Sequence, residues 1–249
     1  MKIDTALSRT RVARDHALIT PESHVPAPLV GWEKSQAITL IAPVMGAGFT
    51  QHLVTMEAGA ASGAPSEGVE RFLFVLEGEV TLEADATTTL APGGYAFFPP
   101  GAEHVLRAAA PARLFLLEKV YRPLDGHAPK VVIGREQDVE GQPFLGDPDA
   151  ILRPLLPDEP GFDLAMNSFA FQPGASLPMV ESHVMEHGLI FLEGGGVYRL
   201  GESWYPVTAG DAIWMAPYLP QWFGCIGKTP AKYLYYKDVW RDPATEPRR

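Results

Sequence analysis

Phe74-Val75-Leu76-Glu77-Gly78 recurs as Ile190-Phe191-Leu192-Glu193-Gly194, 116 residues further on. Downstream of the first copy, Gly93, Pro99, Gly101 and His104 find counterparts at Gly210, Ala216, Tyr218 and Gln221, now 117 residues away. Each block is a short apolar run closed by glycine, as expected of a strand that ends in a turn. A repeat with a one-residue slip between its two halves reads as one supersecondary unit used twice, the slip falling in a hairpin that tolerates insertion. Further short apolar runs lie at Arg71–Leu76, Tyr95–Phe98, Leu114–Val120, Leu189–Leu192, Ala212–Met215 and Tyr233–Tyr236. Glycine and proline, 24 of each, bound them repeatedly. The pattern predicts an all-β chain of two tandem barrels. Only Arg135–Glu140 reads as a short helix or turn. The expected boundaries are a first barrel over 1–125, a connector over 126–160 that holds six prolines, and a second barrel over 161–249.

Composition narrows the function. The chain has 249 residues, 46% of them apolar, and no run approaches the roughly 20 apolar residues of a membrane span. Asp4 and Asp15 interrupt the N-terminal stretch, which has no continuous apolar core, so a secretory leader is not expected. A single cysteine, Cys225, permits no intrachain disulfide and suits a reducing, cytoplasmic setting. The net charge of −10, with no basic run beyond Arg248-Arg249, excludes a nucleic-acid partner. A small ligand remains.

The second copy carries the chemistry. Glu181-Ser182-His183-Val184-Met185-Glu186-His187 precedes Gly194, and Gln221 follows Gly210 by eleven residues. Residues two apart on a strand share a face, so Glu181, His183, Met185 and His187 are expected on one side and Glu186 on the other, at the surface. A strand one hairpin away brings Gln221 opposite them. Two imidazoles, a carboxylate and an amide oxygen form a ligand set without thiolate, which suits Mn²⁺ or Fe²⁺ in an octahedron better than a closed zinc site. Trp214, Met215 and Trp222 read as core or pocket wall.

This spacing resembles the first motif of the cupin superfamily, with Glu181 at its first His position and His187 at its Glu position. Gln221 stands where the second motif has His. The surrounding sequence resembles the (S)-ureidoglycine aminohydrolase family through Tyr198-Arg199-Leu200, Trp204-Tyr205-Pro206-Val207, Gly210 to Pro217 and Pro220-Gln221-Trp222. Tyr233 to Val239, Arg241-Asp242-Pro243, Thr20 to His24 and Gly68 to Phe72 agree as well. Trp240 departs from the pattern, where a smaller polar residue is expected.

The resemblance implies two tandem cupin barrels (double-stranded β-helix, or jelly roll) and a homo-oligomer. It implies hydrolysis of (S)-ureidoglycine to (S)-ureidoglycolate and ammonia, with one Mn²⁺ per chain held by Glu181, His183, His187 and Gln221. Glu181 becomes the base, Lys237 a substrate-binding and catalytic cation, and Tyr198 and Tyr233 hydroxyl donors to a ureido acid. Four ligands on an octahedron leave two positions for a chelating substrate.

Aligned on Gly78, the first copy offers Pro65, Glu67 and Arg71, followed by His104. Proline cannot ligate and arginine repels a cation. The first barrel is therefore expected to be metal-free, with Glu67 and Arg71 as an ion pair. Two other readings compete: an Fe²⁺ dioxygenase, against which a fourth ligand counts because O₂ and substrate need open positions, and a non-enzymatic bicupin that binds a small acid.

Overall fold

Gly78 and Gly194 adopt φ values of 72° and 60°, the left-handed region that favours glycine. A Cβ at Gly78 would meet Pro111 O at 2.4 Å, and one at Gly194 would meet Pro230 O at 2.1 Å. The repeat conserves glycine within the chain because the backbone passes itself too closely for any side chain. In a computed structural model, residues 8–239 are described, and they form strands, turns and short 3-10 helices with no α-helix. Glu136–Asp138 is one of those 3-10 turns, within the segment read as a short helix. Trp240, Arg241-Asp242-Pro243 and Met1 to Leu7 lie outside the described residues.

The chain divides into two compact units. The first comprises residues 24–139 and 159–161. It is one antiparallel ten-stranded sheet, in which the 13-residue strand Phe49–Ala61 pairs with Glu33–Ile41, Val105–Ala108 and Ala112–Val120. Alternate side chains of these strands, among them Val54, Leu73, Val75, Leu82, Leu114 and Leu116, fill its core.

The second unit comprises residues 8–23, 140–158 and 162–239. An eight-stranded sheet supplies one wall and a three-stranded sheet of Ser203–Thr208, Gly195–Leu200 and Gln221–Gly224 the other. Phe169, Phe171, Phe191, Ile213, Phe223 and Tyr233 pack between them. Each such aromatic or aliphatic side chain taken from water contributes about 1.5–3 kcal/mol. The result is a pair of tandem cupin barrels. Among the described residues no helix is long and apolar enough to cross a membrane.

The unit boundaries differ from those expected. His16–Ile19, placed by sequence in the first barrel, pairs with Ala212–Met215 of the second. Arg9 grips the fully buried Asp211 through two hydrogen bonds of 2.7 and 2.8 Å. His16 reaches Tyr205 OH at 2.9 Å. The connector is also mostly sheet. Val132–Arg135 pairs with Gly94–Phe98, while Gln142–Phe144 and Asp147–Pro154 extend the second unit beside Leu164–Phe171. Pro143 suits its place because the outer strand Gln142–Phe144 has backbone positions that need no N–H donor.

Candidate metal centre and active site

The register of the second unit puts the site residues in rows. His187 lies opposite Met215 on one side and Lys237 on the other, and Met215 lies opposite His16. Directly opposed residues share a face, so His16, Met215, His187 and Lys237 form one row on the inner wall. Alternation along Ala231–Asp238 then turns Tyr233, Tyr235 and Lys237 inward. Across the core, Leu200 pairs with Gln221 and Tyr198 with Phe223. Glu181 is tied to Gln221 by reciprocal backbone hydrogen bonds of 2.9 Å.

Of these, Glu181, His187, Tyr198, Gln221, Tyr233, Tyr235 and Lys237 line a cavity of about 140 Å³ together with His183, Met185, Phe144, Phe169, Leu177 and Leu189. The expected site residues Glu181, His183, His187, Tyr198, Gln221, Tyr233 and Lys237 all reach it. The segment carrying them is less regular than expected. A strand begins only at His187, and Glu181 makes an isolated bridge. Glu181, His183, Met185 and His187 nevertheless face the same cavity.

The two imidazoles are poised as paired lone-pair donors. His183 Nε2 lies 3.2 Å from His187 Nε2. His183 Nδ1 donates to Met185 O at 3.2 Å, and the His187 ring bonds the Tyr236 backbone. In the tautomers that carry the proton on Nδ1, both Nε2 atoms present lone pairs to the cavity. Burial lowers both imidazoles below their ordinary value, His187 furthest, with Lys237 adding to the effect. Neither ring readily takes the proton that would relieve the repulsion of two facing lone pairs. A cation does relieve it, and 3.2 Å is the separation of neighbouring donors about 2.3 Å from an octahedral ion.

Gln221 completes the converging group, its Nε2 3.4 Å from His183 Nε2 and its Oε1 3.0 Å from Tyr198 OH. Among the described residues no three His, Cys, Asp or Glu side chains are placed to hold a metal ion. What converges is two imidazoles and one amide, with Glu181 beside them along the cavity wall. Burial pushes the Glu181 carboxyl above its ordinary value, and Lys237 pulls it partly back. Burial also raises the Tyr198, Tyr233 and Tyr235 phenols, so all three remain protonated donors.

Glu186 is a correction. It points away from the cavity, as alternation requires, yet it is fully buried instead of lying at the surface. Its carboxylate accepts from Trp214 Nε1 and Tyr236 OH, each at 3.4 Å, and its N–H donates to Asp238 at 2.7 Å. The outer face of this part of the sheet carries those large side chains. Trp214 and Met215 are accordingly core, while the half-buried Trp222 donates to Leu177 O at 2.7 Å.

Tyr235, Phe144, Phe169, Leu177 and Leu189 line the cavity without having been singled out by sequence. The x-Tyr233-x-Tyr235-x-Lys237 alternation was a usable signal for Tyr235. Phe144 sits in the proline-rich connector, where nothing local marks it.

In the first unit, Arg71 takes the position of His187. It is 1% exposed, and its Nε and Nη2 donate to Glu118 at 2.9 and 2.7 Å. Its Nη1 donates to Gly63 O at 2.8 Å and to His104 Nε2 at 3.1 Å. The ion pair expected with Glu67 is therefore formed with Glu118, which the ladder places directly opposite Arg71. Glu67 precedes the strand and is exposed. The guanidinium thus places a fixed positive charge where the second unit has an imidazole.

The cupin-domain family model matches residues 52–118 and 167–236, one segment in each unit. The chain is 43% identical to (S)-ureidoglycine aminohydrolase of Arabidopsis thaliana over 240 residues, covering 95% of this chain and 80% of that one. It is 40% identical to (S)-ureidoglycine aminohydrolase of Escherichia coli K12 over 232 residues, covering 91% and 89%. The crystal structure of protein Ylba from E. coli superposes with a TM-score of 0.84 at 36% identity, over 97% of this chain and 98% of that one. With the repeat, the twin barrels and a cavity of matching residues in the second, these likenesses make the chain a bicupin of the (S)-ureidoglycine aminohydrolase family, a family of enzymes named for hydrolysis at a C–N bond.

Proposed function

We propose that the second barrel binds one divalent ion, Mn²⁺ in the first instance, through Glu181, His183, His187 and Gln221, and hydrolyses (S)-ureidoglycine to (S)-ureidoglycolate and ammonia. The observation that carries the metal reading is the pair of imidazole Nε2 atoms 3.2 Å apart on one cavity wall. The names of the relatives support the substrate. A divalent ion in this place supplies positive charge that favours an anionic amino acid and fixes the face it presents.

The chain's own residues account for the rest. Lys237, in the row beside His187, supplies a cation for the substrate carboxylate. The walls of Phe144, Phe169, Leu177 and Leu189 exclude bulk water and leave room for a ligand of only a few heavy atoms. Glu181, raised by burial, is suited to take a proton from water and to return one to the departing amine. The balance is simple: a C–O bond forms, the C–N bond breaks, and water's two hydrogens end on the new hydroxyl and on ammonia. A homo-oligomer working in the cytoplasm belongs to the same reading.

The test is ammonia release from freshly generated ureidoglycine, with the handedness of the product measured, before and after treatment with a chelator. We expect stereospecific product, loss of activity with the chelator and recovery with Mn²⁺. Oxygen uptake without ammonia, or binding without turnover, would overturn the reading.

A further inference from the structure

Phe144 reaches the cavity from outside the repeated unit. The cupin-domain model matches residues 52–118 and 167–236, whereas Phe144 ends the short strand Gln142–Phe144 of the connector, within the same compact unit as the site. Its ring packs edge to face on Phe169 at 5.1 Å, and Phe169 in turn meets Tyr233 and Tyr235. Among the side chains that line the cavity, His187, Tyr198, Gln221 and Tyr233 are buried. Phe144, Met185 and Lys237 are only half-buried. The half-buried ones mark the side that meets solvent, and Phe144 stands there.

The hairpin is bent to put it in that place. Pairing with Asp147–Pro154 jumps from Pro143–Ile151 to Phe144–Asp147, so Pro148, Asp149 and Ala150 have no counterpart on the shorter strand. An irregularity of this kind bends a strand and re-aims the side chain beside it. Leu145 and Gly146 then close the turn with φ values of 52° and 88°. Two positive φ values suit a two-residue hairpin, but asparagine or glycine is the ordinary choice and leucine there is strained. Such strain persists where the surrounding structure holds it, and it gathers at ligand sites. Leu145 itself points away, 67% exposed.

We propose that Phe144 is a specificity-determining residue: its ring sets the largest group that the substrate's α-carbon can carry beside the ureido and carboxylate groups. This rests on the function proposed above and names what bounds the substrate there. In a cavity of about 140 Å³ little room is left beyond a small ureido acid. Met185 shares the rim, but its unbranched thioether side chain yields to a larger ligand. The Phe144 ring is rigid and backed by Phe169, so it does not yield.

Stable ureido acids without the α-amino group are the probes. N-carbamoylalanine carries a methyl group where the substrate carries its amine, and N-carbamoylleucine carries a branched butyl group there. Each is used in both hands. Binding is measured by calorimetry on Mn²⁺-saturated wild type, Phe144→Ala and Phe144→Trp, with ammonia release from ureidoglycine followed on the same preparations. Wild type is expected to bind N-carbamoylalanine at least about tenfold more tightly than N-carbamoylleucine. Phe144→Ala is expected to bring the two within about threefold, by admitting the larger acid. Phe144→Trp keeps an aromatic ring on Phe169 and fills the mouth further, so N-carbamoylalanine is expected to bind about tenfold more weakly.

Equal weakening of both acids in Phe144→Ala would mean that the ring merely supports the fold, and would overturn the proposal. So would the wild-type preference retained in Phe144→Ala, or wild-type affinities in Phe144→Trp. No binding of either acid by a wild type that releases ammonia would overturn it as well, with the proposed function left standing. A wild type that neither releases ammonia nor binds the acids would remove the proposed function and this inference together.

Discussion

Lys237 stands directly opposite His187 in the second unit, just as Glu118 stands directly opposite Arg71 in the first. One pair of positions in the repeat thus carries opposite arrangements. In the first unit a cationic side chain is neutralised by a carboxylate, and nothing more is needed. In the second a neutral imidazole lies beside a lysine, and the row is left open to an anion. The predictions below follow from that contrast.

Lys237→Met removes the cation proposed to bind the substrate carboxylate. KM is expected to rise about tenfold to a hundredfold, the worth of a charge-assisted hydrogen bond, with a smaller fall in kcat. Because Lys237 holds the Glu181 carboxyl down, its loss should also move the acid limb of the kcat/KM profile to higher pH. Steady-state ammonia release from pH 5 to 9 checks both effects, and an unchanged KM would count against the assignment.

Glu181→Gln keeps the shape and removes the carboxylate proposed as the base. Ammonia release is expected to fall by about 10² to 10⁴. Metal content should fall only in part, because the imidazole pair and Gln221 remain. Elemental analysis beside the activity assay distinguishes lost chemistry from lost metal. Wild-type turnover in this variant would remove Glu181 from the mechanism.

Arg71→Met strands the Glu118 carboxylate and takes the donor from His104 Nε2. Breaking one side of a buried pair costs about 3 kcal/mol. Denaturant unfolding should show that loss, while metal stoichiometry stays at one per chain. A second equivalent of bound metal in the wild type would contradict the role assigned to the guanidinium.

Acid should destabilise the metal-free chain. His52, His183 and His187 are lowered from 6.5, and burial holds His104 down to about 4. Between 6.5 and those folded values the unfolded chain binds more protons, so stability is fully present above 6.5 and is lost as pH falls. Glu181, raised from 4.5, works in the opposite sense, its contribution being lost as pH rises, but it is one group against four. Denaturant midpoints measured from pH 7.5 to 4.5 should decline, and His104→Asn should flatten the decline.

Which side chains converge on the cavity was largely legible in the sequence. Period-two alternation turned Glu181, His183 and His187 to one side even though the strand itself starts only at His187. The repeat located Gln221 and exposed Arg71 as the counterpart of His187. Alternation also sent Glu186 to the other side, but it could not tell that this side is covered by Trp214 and Tyr236. A residue's face is a local property, whereas its burial depends on what another strand brings against that face.

The amino-acid order alone settled the doubling of the barrel, the glycines where the backbone nearly touches itself, and that Arg71 in one unit answers to His187 in the other, because each rests on residue type and short-range spacing. Tertiary structure decided that Glu118 and not Glu67 neutralises Arg71, that Phe144 walls the cavity, and that the segment around Arg9 and His16 joins the second barrel. Those outcomes depend on strand register and on edges seeking partners, which bring together residues as many as 202 positions apart.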